Sequence, residues 1–136
     1  MDITQPISTI MTKDVECVSP DQKILEIKHI YEKRSFHHHI PVVKHDKLVG
    51  MVSLVDFMRK IHDATLDDNE DVYQNVKVEE IMSKPPISVS PNTPIIEVAK
   101  DLSKGEIHAY VIADEGKVKG IISTADIIKY FLENQD

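Results

Sequence analysis

The 136-residue chain has no tryptophan, only four glycines and a single cysteine, Cys17. One cysteine excludes an internal disulfide and any CxxC redox or metal pair, and a reducing cytoplasm is the expected location. No apolar run approaches the ~20 residues that a membrane-spanning helix needs, so no membrane insertion is expected. Met1-Asp2-Ile3-Thr4 lacks the basic start and apolar stretch of a secretory leader. There is no P-loop, no G-x-G-x-x-G, no HExxH and no G-x-S-x-G, so no catalytic constellation is visible and the protein is not expected to be an enzyme. Basic residues are outnumbered: sixteen face twenty-three acidic ones, for a net charge of −7. That balance argues against nucleic acid or an anionic membrane as a partner. What is present, 41% apolar and 29% charged residues, suits a globular fold and is too apolar for disorder.

The chain repeats itself. At an offset of 71, Ile10-Met11 falls on Ile81-Met82, Lys13 on Lys84, Val18-Ser19-Pro20 on Val89-Ser90-Pro91, and Glu26 on Glu97. After a one-residue gap near Arg34 the offset is 70, and His38, Lys47, Gly50, Ser53 and Asp56 fall on His108, Lys117, Gly120, Ser123 and Asp126. Two copies of one unit follow, residues 6–63 and 78–133, joined by an acidic segment, 64–77. That segment has no apolar period and reads as a solvated linker. It lacks the ligand spacing and central glycine of an EF-hand.

Each copy has the same order: strand, helix, strand, strand, helix. A short extended piece (Val15 to Val18, Ile87 to Val89) precedes Ser-Pro. A helix follows with Ile24, Ile27, Ile30 and Tyr31, or Ile95, Val98, Ala99 and Leu102, on one face. The runs His39–Val43 with Leu48–Val52, and Ala109–Ala113 with Val118–Ile122, read as hairpins with polar turns. A last helix carries Val55, Met58 and Ile61, or Ile128, Phe131 and Leu132. The expected fold class is therefore α/β, two β-α-β-β-α repeats. A unit of this size has a marginal core alone, so the repeats are expected to pack together about a pseudo-two-fold axis as one module, leaving two equivalent clefts. Met11, Met51, Met58 and Met82 read as core, and Cys17 as a buried, inert thiol.

Where the second hairpin strand turns into the last helix, both copies read G-x-x-S-x-x-D, from Gly50 to Asp56 and from Gly120 to Asp126. Two readings stand side by side. Ser53 and Ser123 can cap the helix, with the aspartates at its positive end. Alternatively a hydroxyl at a helix N-terminus attracts phosphate, and a carboxylate beside it accepts hydrogen bonds from both hydroxyls of a ribose. His37-His38-His39 does not read as a metal site, because strand neighbours point to opposite faces; no metal is expected.

The doubled set, with "SFHHHIPVV", "KLVGMVSLVDF" and "KVKGIISTADI", resembles a tandem pair of cystathionine-β-synthase (CBS) domains, a Bateman module, over nearly the whole chain. The resemblance implies a regulatory module with no covalent cofactor. Its clefts would bind an adenosine compound: AMP, ADP, ATP, S-adenosylmethionine or an adenine dinucleotide. The family's ribose-binding Asp matches Asp56 and Asp126, and its preceding Ser/Thr matches Ser53 and Ser123. Phosphate would be held near His37, His38 and His39, with His108 in copy two. Adenine would rest against Val18, Ile40, Pro41, Val89 and Tyr110. A homodimer formed through the helices and a separate effector protein are the implied partners. Tyr110-Val111 replaces Ile40-Pro41 in copy two, so one good site rather than two is expected. Arg34 and Arg59 are the only arginines, with Lys33 and Lys104 as possible helpers, which favours one phosphate or an uncharged adenosyl compound over ATP. The alternative is a ligand-free dimeric interaction scaffold in which the Ser/Asp pairs only cap helices.

Overall fold

In a computed structural model of the protein, residues 1–33, 37–84 and 88–135 are described. The chain forms two compact α/β units that do not coincide with the sequence repeats. The central unit is Glu16–Pro86; the terminal unit joins Met1–Val15 to Ile87–Asp136. Residues 1–15, which lead into the first repeat, therefore belong with the second, and the segment leading into the second repeat belongs with the first.

The central unit contains helix α1 (Leu25–Tyr31), strands β1 (His39–Lys44) and β2 (Lys47–Ser53), helix α2 (Leu54–Ile61) and the short helix α3 (Asp71–Asn75). β1 and β2 are antiparallel, with His39 opposite Ser53 and a bulge between Val42 and Val43. Their two-residue turn, His45-Asp46, has positive φ at both positions, the twist that hairpins favour. The extended piece before α1 contributes a single bridge, Val18 to Val42, rather than a strand. The core is Ile24 and Ile27 beneath Ile40, Val42 and Val52, closed by Phe57, Ile61, Tyr73 and Val78.

The terminal unit contains β3 (Ser88–Val89), α4 (Ile95–Leu102), β4 (Ala109–Asp114), β5 (Lys117–Ser123) and α5 (Thr124–Glu133). Its sheet has the order β3-β4-β5, with the first pair parallel and the second antiparallel. Ile95, Val98, Leu102, Ile112, Ile122 and Ile127 pack with Ile7, which comes from the N-terminal segment.

The leading segments repay a close look because they satisfy backbone groups that side chains do not. Neither α1 nor α4 has a side-chain cap. Instead the amide of Ile24 donates to Val76 O at 2.9 Å, and the amide of Ile95 donates to Gln5 O at 2.9 Å. Past the 3-10 turns Ile7–Thr9 and Val78–Glu80, the segments pair with the last hairpin strands. Thr12 and Ile121 exchange hydrogen bonds of 2.9 Å each, and Ser83 and Met51 exchange bonds of 2.9 and 3.3 Å. This close approach requires glycine. A Cβ on Gly120 would stand 2.7 Å from both Met11 Sδ and Thr12 O; one on Gly50 would stand 2.6 Å from Met82 Sδ and 3.0 Å from Ser83 O.

The acidic segment is not wholly solvated. Asp67, Asp68 and Asn69 are exposed, but Tyr73 of α3 is fully buried. Its ring lies 6.4 Å from Phe57, and its hydroxyl donates to Thr65 O at 2.6 Å. Val72, Tyr73 and Val76 are too short a run to stand out as an apolar period beside the acidic residues, so the pattern does not reveal the burial. Lys28, on α1, is 2% exposed. Its ammonium donates to Asp68 Oδ1 at 2.6 Å and Glu32 Oε2 at 2.9 Å, and stands 5.4 Å from the Tyr73 ring centroid. His29 Nε2 lies 2.9 Å from Asp68 Oδ2. The hydrogen bond from Lys28, then that from His29, holds the Asp68 carboxyl below the usual carboxylate range; the bonds to Asp68 and Glu32 push Lys28 up.

Two expectations about single residues are corrected. Cys17 is exposed, not buried, because only Val18 joins the sheet and its neighbour faces out. Partial desolvation still raises the thiol's pKa, which disfavours the reactive thiolate. Met58 is more than half exposed and lies outside the core, on the outer face of α2 with Val55. Met51 is buried as expected.

Gly120→Ala is expected to cost about 1–3 kcal/mol, and more than Gly50→Ala, because the thioether can yield and the Thr12 carbonyl cannot; urea unfolding of both variants checks the order. The Asp68 contribution to stability is present above the unfolded carboxylate's pKa and is lost as pH falls through the lower folded value, below about 4. The Lys28 contribution is present below the unfolded lysine's pKa and is lost as pH rises past it, above about 10. Urea midpoints against pH should therefore fall less steeply at both limbs in Lys28→Met than in the parent.

Candidate functional site

The hairpin register brings most of the polar candidates to one end of each unit's sheet. His39 faces Ser53 across the β1–β2 ladder, and Ala109 faces Ser123 across β4–β5. The amide of Leu54 donates to His38 O at 2.7 Å, and that of Thr124 donates to His108 O at 3.1 Å. His38, His39, Ser53 and Asp56 thus gather at the start of α2, and His108, Ser123 and Asp126 at the start of α5.

Both serines cap their helices in a reciprocal box. Asp56 N donates to Ser53 Oγ at 3.0 Å, and Ser53 N donates to Asp56 Oδ2 at 3.2 Å. Asp126 N donates to Ser123 Oγ at 3.3 Å, and Asp126 Oδ2 accepts from Ser123 N at 2.9 Å and from Ser123 Oγ at 3.0 Å. In each box the bonds fall on Oδ2. A carboxylate accepts about four hydrogen bonds, so both aspartates retain acceptor capacity on Oδ1. Asp56 and Asp126 are half-buried rather than turned fully into water.

Tyr31 also belongs to the central site, although its place in the apolar face of α1 marks it only as core. Its hydroxyl donates to His38 O at 3.1 Å, and its ring lies 5.4 Å from that of Phe57, the neighbour of Asp56. Burial first, and then the Asp56 charge, push its pKa above the usual tyrosine range. Thr124, at the start of α5, has a buried hydroxyl oxygen with no hydrogen-bond partner among the described residues.

The apolar candidates are placed less openly. Val18, Ile40 and Pro41 are buried; Val18 and Ile40 belong to the central core, and the Val18 amide donates to Pro41 O at 3.1 Å. Val89 is half-buried in β3. Tyr110 is half-buried against the terminal core, and its hydroxyl donates to Asp101 of α4 at 3.1 Å. Lys33 pairs with Glu16, and Lys104 stands 3.8 Å from Asp101. Arg34, a phosphate candidate, and Ile87 lie outside the described residues. His37 is half-buried.

Among the described residues, one group of metal-ligating types converges: His29, Glu32 and Asp68, all exposed. The Lys28 ammonium already occupies the space between two of these carboxylates, so an added cation would have to displace a buried one. No helix among the described residues is long and apolar enough to cross a membrane.

A doubled hairpin-and-helix unit with a Ser-x-x-Asp box at each last helix defines the class. The CBS domain family matches residues 7–63 and 78–133, and the chain belongs to it, with two CBS domains. It is 27% identical over 139 residues to the uncharacterized protein MJ1225 of Methanocaldococcus jannaschii, covering 96% of this chain and 49% of that one. To the uncharacterized protein MJ0188 of the same organism it is 32% identical over 130 residues, covering 93% and 44%. The chain thus spans about half the length of these curated relatives. The crystal structure of the CBS domain pair of protein MJ0100, in complex with 5′-methylthioadenosine and S-adenosyl-L-methionine, is similar with a TM-score of 0.79 and 25% identity, over 97% of this chain and 99% of that one.

Ser53→Ala and Ser123→Ala should each lower unfolding stability by about 0.5–2 kcal/mol, the value of a lost helix cap, in thermal melts.

Proposed function

We propose that this protein is a regulatory module that binds an adenosine-containing ligand, of the AMP, ADP, ATP or S-adenosylmethionine type, at Asp56 or Asp126 and passes the signal to a separate partner. The observation that carries this reading is the repeated box in which each aspartate caps its helix through Oδ2 and keeps Oδ1 for a ribose diol. The complexes of the MJ0100 pair support an adenosyl ligand. Ser53, Ser123, His38, His39 and His108 are the polar residues assigned to ligand, and Val18, Ile40, Pro41, Val89 and Tyr110 the apolar ones. No catalytic role is assigned, and a reducing cytoplasm suits the single exposed cysteine.

A signal requires that the ligand bind one arrangement of the protein better than another. A second copy of the chain is the nearest element to carry it. Val55 and Met58 on α2, and Ile128 and Leu132 on α5, are each more than half exposed, so equivalent helices of both repeats bear an uncovered apolar face. We assign these faces to a homodimer. Light scattering should return twice the mass of one chain, falling to one chain for Met58→Glu with Ile128→Glu.

The second reading, a ligand-free scaffold, is favoured by the same boxes, since both aspartates already have structural work. Thermal melting with AMP, ADP, ATP or S-adenosylmethionine separates the two. A ligand at 100 times its dissociation constant stabilises by about 2.7 kcal/mol, which moves the melting temperature by several degrees. Absence of any shift with the whole panel would leave the scaffold. Asp56→Ala and Asp126→Ala then assign the site: both variants lose a cap bond and melt lower, but loss of the ligand-induced shift marks diol contact, and a retained shift marks capping alone.

A further inference from the structure

One thioether closes each unit. Met82 and Met11 hold equivalent places in the two leading segments, and each sulfur lies on the bare face of a mid-strand glycine. A methyl group on Gly50 would stand 2.6 Å from Met82 Sδ, and one on Gly120 would stand 2.7 Å from Met11 Sδ, so neither contact has slack. On their other sides Met82 packs against the central core and Met11 against the terminal core. The residues that follow carry the backbone pairing, Ser83 with Met51 and Thr12 with Ile121, and Ser83 Oγ also donates to Met51 O at 3.0 Å. Neither methionine is sealed in. Both are half-buried, and each segment runs on to an exposed lysine, Lys84 or Lys13; Met51, by contrast, is 8% exposed. An unbranched thioether can lie flat across a glycine where a branched leucine is crowded. It is also the apolar side chain that a mild oxidant turns polar.

We propose that Met11 and Met82 are peroxide-sensitive latches: oxidation of either thioether releases its leading segment and loosens the unit which that segment completes. The oxidant is hydrogen peroxide. A sulfur lone pair attacks one peroxide oxygen, the O–O bond breaks and an S–O bond forms. The departing hydroxide takes the proton of the new S–OH group and leaves as water. Sulfur gives up two electrons and the peroxide accepts them, so no further reactant is required. The sulfoxide is polar, and larger by one oxygen, in a place where the fold offers a glycine face and an apolar core. A segment driven off takes its other contacts with it. The amides of Ile24 and Ile95 lose the carbonyls of Val76 and Gln5, and the cores lose Val78 and Ile7. The change is reversible, because a methionine sulfoxide reductase restores the thioether. The latch is independent of the ligand reading and stands or falls without it.

The full chain with Cys17→Ser, which removes the thiol from the chemistry, tests this. It is melted before and after treatment with hydrogen peroxide, and its peptides are weighed by mass spectrometry. Met11 and Met82 are expected to gain one oxygen each, the melting temperature to fall by several degrees, and sulfoxide reductase to restore it. Met11→Leu/Met82→Leu in the same background, compared with its own untreated melt, should hold its melting temperature although Met1 and Met58 still oxidise. Met58→Leu changes an exposed side chain and leaves both latches, so it should fall as far as the parent. An unchanged melt with Met11 and Met82 oxidised overturns the latch. So does a folded chain in which Met1 and Met58 are converted while Met11 and Met82 are not, and so does an equal fall in the double leucine variant or protection by Met58→Leu.

Discussion

A methionine-bearing segment laid across a glycine is the contact on which each unit depends. Gly50 and Gly120 sit mid-strand, where a side chain would ordinarily strengthen a sheet. Here its absence lets a second backbone pair with the strand's edge at hydrogen-bond distance. The segment that arrives brings an apolar residue to the core, Val78 or Ile7, and a carbonyl to the bare amide of the first helix, that of Val76 or Gln5. Three needs of a small fold are met by one stretch of chain: an edge covered, a helix end satisfied and a core filled. The stretch leads each time into the other sequence repeat, so neither repeat is a compact unit by itself.

The same economy governs the candidate site. Ser53 and Ser123 are held in place by what they do for their helices, and each cap carries an aspartate whose second oxygen is left over. A structural motif thus presents a polar group at a fixed position without further support, which is the kind of preorganisation a ligand site needs. The His38 and His108 carbonyls, bonded to the first amides of α2 and α5, tie the preceding loop to the same spot. In the central unit the Tyr31 hydroxyl adds a second hold on His38 O. The terminal unit has no such bond among those described, and its Tyr110 is committed to Asp101 instead.

The acidic stretch between the repeats shows how far composition can mislead. Its carboxylates read as solvated, and most are. Yet Asp68 is the counter-ion of a lysine that the fold has buried, and Tyr73 fills the core beside Phe57. A buried ammonium is tolerable only with charged partners and an aromatic face around it. Glu32 is one turn away on the same helix, but Asp68 lies forty residues on and Tyr73 further still, so no local pattern announces the burial.

Much was legible because it is local. The doubled motif order, the three-and-four spacing of Ile24 and Ile27, the hairpin alternation and the Ser-x-x-Asp boxes all follow from neighbours a few residues apart, where backbone geometry decides which groups can meet. The sequence by itself determined two repeats, their α/β elements, the capped starts of α2 and α5, and the aspartates that mark the candidate sites. Only the tertiary structure decided which leading segment completes which unit, why Gly50 and Gly120 must be glycine, that Lys28 and Tyr73 are buried while Cys17 and Met58 are not, and that Tyr31 stands beside Asp56. These depend on chain segments brought together from far apart. Repeats that share one motif order leave two pairings of leading segment and sheet consistent with the pattern, and packing selects between them.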